Sequence, residues 1–287
     1  MRRMALITAL FCLACCLAGC GNERTVSTES GLESASGSKP AAHVTERSGD
    51  EETMETETDT EIEYGGAYTV DTAITGVTED PVFGEYGRLI FPVDSGYYSG
   101  DTLGDLHLTW YSNIDPNETV AIANYLREHA AAGDTVFYDI YSEEEKAADP
   151  EKEDTGLFFF KGTPGEKFAV CNAGGGFAYV GAIQDSFPHA LELSKRGYNA
   201  FALIYRPGAR TACEDLARAI SFIFEHAEEL EVDTDGYSLW GGSAGGRMAA
   251  WLGSYGTAAF GEEELPRAGT AAEGWIDEAV SFWEAQT

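Results

Sequence analysis

Apolar and polar positions divide the chain into stretches of different character. A continuous apolar run at residues 5–17 follows the short basic start Arg2-Arg3 and is too short to span a bilayer. From residue 21 to about residue 80 the composition changes to Ser, Thr, Gly and Glu without periodicity. Such a stretch cannot bury enough apolar surface to fold. Apolar positions return near Pro81, and residues 83–113 carry many aromatics among turn residues without forming an assignable element. Asp115-Pro116-Asn117-Glu118 reads as a helix start, with Val120, Ile122, Ala123 and Leu126 along one side of a helix over residues 120–132. Three short β-rich runs follow, at residues 135–141, 156–161 and 167–171, each bounded by turn residues.

Thereafter the pattern alternates: a helix over 187–196, a strand over 200–205, a long helix over 212–230, a strand over 237–240 and a helix over about 247–252. A polar stretch over 256–267 then leads to a final helix at about 271–284. There Thr270-Ala271-Ala272-Glu273 forms a capping box, and Trp275, Ile276, Ala279, Val280, Phe282 and Trp283 make a broad apolar face. Strands separated by helices of this length predict parallel βαβ units in a doubly wound α/β sheet. The expected organisation is a leader over 1–20, an acidic disordered tether over 21–80 and a folded domain over 81–287. That domain divides into an aromatic-rich part at 81–134, a core at 135–255 and the last helix at 270–285.

Composition narrows the function. The 287 residues, 44% of them hydrophobic, leave room for one α/β domain plus appendages. Forty-nine acidic residues against 18 Lys and Arg give a formal charge of −31, which argues against nucleic acid and against attraction to anionic membrane surfaces. An ordinary solvated acidic surface accounts for the excess. Four of the six cysteines, Cys12, Cys15, Cys16 and Cys20, fall in the first twenty residues. Cys171, in an apolar strand-like run, and Cys213, at a predicted helix start, read as free thiols rather than a disulfide. No Cys/His cluster has metal-ligand spacing, and no phosphate-loop or dinucleotide fingerprint is present, so neither metal nor cofactor is expected.

The candidate chemistry lies in two glycine-flanked stretches. Gly241-Gly242-Ser243-Ala244-Gly245 follows an apolar run and precedes a helix-like segment, a G-x-S-x-G pattern suited to a sharp strand-to-helix turn that exposes a nucleophilic Ser243 hydroxyl. Ser243 then sits at the carboxyl end of a parallel strand, where ligands bind in such sheets. Two strands earlier the chain leaves an apolar run through Asn172-Ala173-Gly174-Gly175-Gly176-Phe177, a loop that can bring backbone N–H groups close to a developing oxyanion.

Together these stretches resemble the α/β-hydrolases of the esterase/lipase kind, over residues 135–255, with Asn172 standing where many relatives carry histidine. The resemblance implies that Gly175, Gly176 and Ala244 supply oxyanion N–H groups and that Ser243 attacks a small-molecule acyl substrate, as in carboxylesterases. Serine peptidases share the same turn, so that activity is a further alternative. The family's chain order continues from Ser to Asp or Glu and then His. Here His43, His107, His129, His189 and His226 all precede Ser243. The final helix resembles the last helix of that fold, and the C-terminal strands six to eight with their crossovers, about 70–100 residues, are missing before it. The expectation is that a segment carrying acid and histidine has been lost around residues 266–269. That leaves an impaired hydrolase or, as an alternative, a non-catalytic binding module or inactive fragment. The leader, ending in Leu17-Ala18-Gly19-Cys20, resembles a bacterial lipoprotein signal, which implies a lipidated Cys20 and a domain anchored to the membrane outside the cytoplasm.

Overall fold

The computed structural model describes residues 67–111 and 115–268. The strands are β1 (Tyr98–Ser99), β2 (His107–Leu108), β3 (Phe137–Tyr138), β4 (Gly156–Phe160), β5 (Lys167–Asn172), β6 (Asn199–Ile204) and β7 (Asp233–Gly241). The helices are α1 (Ile74–Thr78), α2 (Pro116–Ala132), α3 (Glu143–Ala148), α4 (Ser186–Lys195), α5 (Ala209–Glu225), α6 (Ala227–Leu230) and α7 (Ala244–Tyr255). β1 and β2 form a small antiparallel pair, and the other strands form one sheet in the order β3-β4-β6-β5-β7. Within it β4 is antiparallel to both of its neighbours, whereas β6, β5 and β7 pair in parallel. The sheet is therefore mostly parallel, as the alternating pattern predicts.

Aromatic side chains assign the two faces. Phe158 and Phe160 of β4 meet Phe187 of α4, with ring centroids 4.8 and 5.5 Å apart. Phe159 projects the other way and stacks on Phe201 of β6 at 4.4 Å. On that second face Phe168 of β5 meets Phe224 of α5 and stacks on Tyr237 of β7. Helices thus cover both faces, which explains why β4 and β6 are buried along their whole length and read as continuous apolar runs. At the end of β6 the buried Arg206 and Asp215 form an ion pair with N···O 2.6 Å, joined by the Tyr141 hydroxyl, which donates to Asp215 at 2.7 Å.

Several boundaries differ from expectation. The tether does not extend to residue 80: Tyr68, Ile74 and Val77 are buried, the Tyr68 N–H donates to Asn124 and its hydroxyl to Asp80. Three isolated apolar residues in a polar stretch suffice to dock it, because each packs into the hydrophobic core. The long helix expected over 212–230 breaks at His226, where the backbone leaves helical geometry and Nδ1 lies 2.9 Å from the Phe222 carbonyl oxygen. The run at 135–141 forms only the two residues of β3, and the strand expected over 237–240 extends to nine. The predicted final helix and the leader lie outside the described residues. Cys171 and Cys213 are free and buried, as expected.

β7 ends the sheet. Of its residues only Tyr237 is buried, and among the described residues no strand pairs with its outer side.

Candidate active site

Parallel pairing of β5 with β7, with Asn172 opposite Gly241, brings the carboxyl ends of the two strands together. Each then releases one of the two glycine-flanked stretches on the same side of the sheet. The turn after β7 carries Ser243 at φ 50° and ψ −111°, a conformation that a residue with a side chain rarely holds. Ser243 immediately precedes α7 but its side chain makes no capping hydrogen bond, so the hydroxyl is not committed to the helix. The turn needs glycine at 245 for a steric reason: a Cβ there would overlap the carbonyl oxygen of Asn172. α7 consequently packs directly on the end of β5.

The loop after β5 faces the turn. A Cβ on Gly174 would lie 3.2 Å from the Cβ of Ser243. Gly175 has φ 133°, and the chain bends back on itself through Ala178 N–H to Gly175 O at 3.0 Å and Gly181 N–H to Gly174 O at 3.1 Å. From β6 the buried Tyr205 hydroxyl donates to Ala173 O at 2.7 Å. Asn172, also buried, donates from Nδ2 to Trp240 O at 2.9 Å and so ties the ends of β5 and β7. Among the described residues no backbone carbonyl accepts from the N–H groups of Gly175, Gly176 or Ala244; Gly176 is exposed, whereas Gly175 and Ala244 are buried.

Two residues that sequence reasoning did not single out complete the site. Asp185, with its side chain 11% exposed, accepts through Oδ2 from Gly174 N–H at 2.6 Å and from the Tyr111 hydroxyl at 2.8 Å. Burial, reinforced by the charge and hydrogen bond of Asp185, pushes the Tyr111 phenol well above the usual range, so it stays a donor. Nearby, Trp110 is 69% exposed at φ 73° with its indole against Gly176, and Phe177 has φ 60° with its ring stacked on Trp251. Among the described residues the non-glycine residues with positive φ are Trp110, Phe177, Glu231 and Ser243, and three of these four lie at this site. Strain of this kind persists only where surrounding structure enforces it, and it concentrates at functional sites.

Of the histidines, His189 reaches this arrangement through Asp185, with Nδ1 3.8 Å from Asp185 Oδ1. His129 Nδ1 pairs with Asp134 at 2.7 Å, His189 Nδ1 with the Asp185 carbonyl oxygen at 2.7 Å, and His107 lies in β2. Among the described residues Ser243 makes no hydrogen bond to a histidine, and no three Cys, His, Asp or Glu side chains are grouped to hold a metal.

Sheet order, helices on both faces and a serine on the strand-to-helix turn are the arrangement of the α/β-hydrolase fold. Residues 163–280 match the family model BD-FAE, an esterase domain of that fold. Among solved structures, a thermophilic esterase, Est2, from the Planctomycetes species Thermogutta terrifontis is similar at 31% identity and a TM-score of 0.33 over 34% of this chain and 39% of that one. Its butyrate-bound form is similar at 26% identity and a TM-score of 0.35 over 40% and 43%. An acetyl ester-xyloside bifunctional hydrolase from Caldicellulosiruptor lactoaceticus is similar at 22% identity and a TM-score of 0.37 over 42% and 46%. The chain spans less than half the length of each of these structures. No curated protein matches it.

Proposed function

We propose that this protein is a serine hydrolase of carboxylesterase type for a small acyl ester, with Ser243 as nucleophile, and that its turnover is impaired. The observation that carries the reading is the strained Ser243 backbone on the turn between β7 and α7, facing the glycine loop across Gly174. In the proposed reaction Ser243 Oγ attacks the ester carbonyl, and the N–H groups of Gly175, Gly176 and Ala244 stabilise the oxygen as it becomes negative. The hydroxyl needs a base to take its proton, and no histidine follows Ser243 in the sequence. A segment lost around residues 266–269 accounts for this. We also propose that Cys20 is lipidated and holds the domain outside the cytoplasm.

The same lack of a base favours a second reading, a binding module on the hydrolase fold. Exposure to a fluorophosphonate probe separates the two. The hydrolase reading expects slow phosphonylation of Ser243, absent in Ser243→Ala, with p-nitrophenyl ester turnover about 10⁶-fold below a complete triad. No adduct after prolonged exposure would leave the binding module. Rapid turnover lost in Ser243→Ala would show that a base is present and that the proposed impairment is wrong. Aminoacyl-amide cleavage in place of ester cleavage would point to a peptidase.

A further inference from the structure

We propose that Asp185 and Tyr111 form a positioning pair that holds the oxyanion loop against Ser243, and that residues 109–111 act through it as a strap on that loop. The proposal rests on the hydrolase reading above. One carboxylate oxygen of Asp185 takes both hydrogen bonds, from Gly174 N–H at 2.6 Å and from Tyr111 at 2.8 Å. The same oxygen lies 3.1 Å from where a Cβ on Gly242 would sit and 3.3 Å from where one on Gly174 would sit. It therefore occupies the space between the glycine loop and the serine turn and is in reach of both backbones.

Two simpler roles do not fit. Asp185 directly precedes α4 but makes no side-chain capping bond. Its charge would repel, not stabilise, an oxyanion forming nearby. What it contributes is geometry: a hydrogen bond to an ionised acceptor is roughly twice as strong as a neutral one, and it fixes the Gly174 peptide at one end. At the other end Gly181 N–H donates to Gly174 O. With that peptide pinned, the following N–H groups of Gly175 and Gly176 keep a fixed direction. Displacements of about 1 Å in such groups already cost about 10²-fold in rate.

Three consecutive residues of the strap grip different parts of the loop. Thr109 O accepts from the Tyr179 hydroxyl. The Trp110 indole lies 3.0 Å from where a Cβ on Gly176 would sit, and Tyr97 stacks on Tyr179 with centroids 4.6 Å apart. The Tyr111 ring fills the space beside Gly181, where a Cβ would come within 2.9 Å of ring carbons. The phenol remains protonated at working pH for the reason given above, so the donor to Asp185 is permanent.

The test uses the full chain as wild type, Asp185→Ala, Asp185→Asn and Tyr111→Phe, with two readouts: the rate of fluorophosphonate labelling at Ser243 and the proton shift of the Gly174 amide. Asn can offer its amide oxygen in the same place. The pair predicts labelling slowed at least about tenfold in Asp185→Ala, restored to within about threefold in Asp185→Asn, and slowed in Tyr111→Phe. The Gly174 amide is expected at low field in wild type and Asp185→Asn and displaced in Asp185→Ala. Wild-type labelling in Asp185→Ala, or Asp185→Asn as slow as Asp185→Ala, overturns the pair. If Asp185→Ala does not fold, Tyr111→Phe decides, and unchanged labelling and amide shift there overturn the proposal. If wild type itself takes no probe, the hydrolase reading fails, and the Gly174 amide alone decides the pair: displacement in Asp185→Ala upholds it and an unmoved resonance overturns it.

Discussion

Ser243 holds a backbone conformation that its own side chain disfavours, while Gly245 sits where any side chain would strike the Asn172 carbonyl. Substitutions at these two positions should therefore change stability in opposite directions. Ser243→Gly relieves the strain and is expected to stabilise the fold by about 1 kcal/mol. Gly245→Ala forces α7 away from Asn172 and is expected to destabilise it by about 1–3 kcal/mol. Urea denaturation midpoints measure both, and equal midpoints for the two variants would remove the strain argument. Both residues were legible in the sequence because the G-x-S-x-G spacing encodes a local turn. Asp185 and Tyr111 were not, since they lie 74 positions apart and meet only through the sheet. The cue available was a lone carboxylate just before a predicted helix, which reads as an ordinary cap.

At the level of elements, burial decided what could be read. β4 and β6, covered on both faces, appear as short apolar runs, and the sequence located them to within a residue or two. The aromatic stretch over 83–113 resisted assignment because its described part, 83–111, folds into short 3₁₀ turns and the two-residue strands β1 and β2, too brief to show a period. β7 raises a different issue, for its outer side pairs with no strand among the described residues, and such an edge offers a row of N–H and C=O groups to other chains. Placing a charge on it should reduce that tendency. Ser238→Lys is expected to lower concentration-dependent light scattering, at a cost of about 0.5–1.5 kcal/mol for the Trp240 indole hydrogen bond that Ser238 accepts at 2.9 Å. Unchanged scattering would show that the outer side of β7 is not the adhesive surface.

For the whole molecule, the net charge of −31 opposes contact with anionic lipid headgroups, and among the described residues no helix is long and apolar enough to cross a membrane. In the proposed anchoring, acyl chains on Cys20 make the attachment, and a cysteine with several chains holds where one chain alone is marginal. Cys20→Ser is therefore expected to move the protein from the detergent phase to the aqueous phase in Triton X-114 partitioning, regardless of salt. A wild-type protein already found in the aqueous phase would rule the anchor out. The order β3-β4-β6-β5-β7 has one more consequence, for construction rather than chemistry. The parallel strands lie side by side as β6, β5 and β7, so among the described residues the strand that leads into Ser243 keeps its outer side unpaired. A further strand laid against that side would extend the sheet without displacing any described strand.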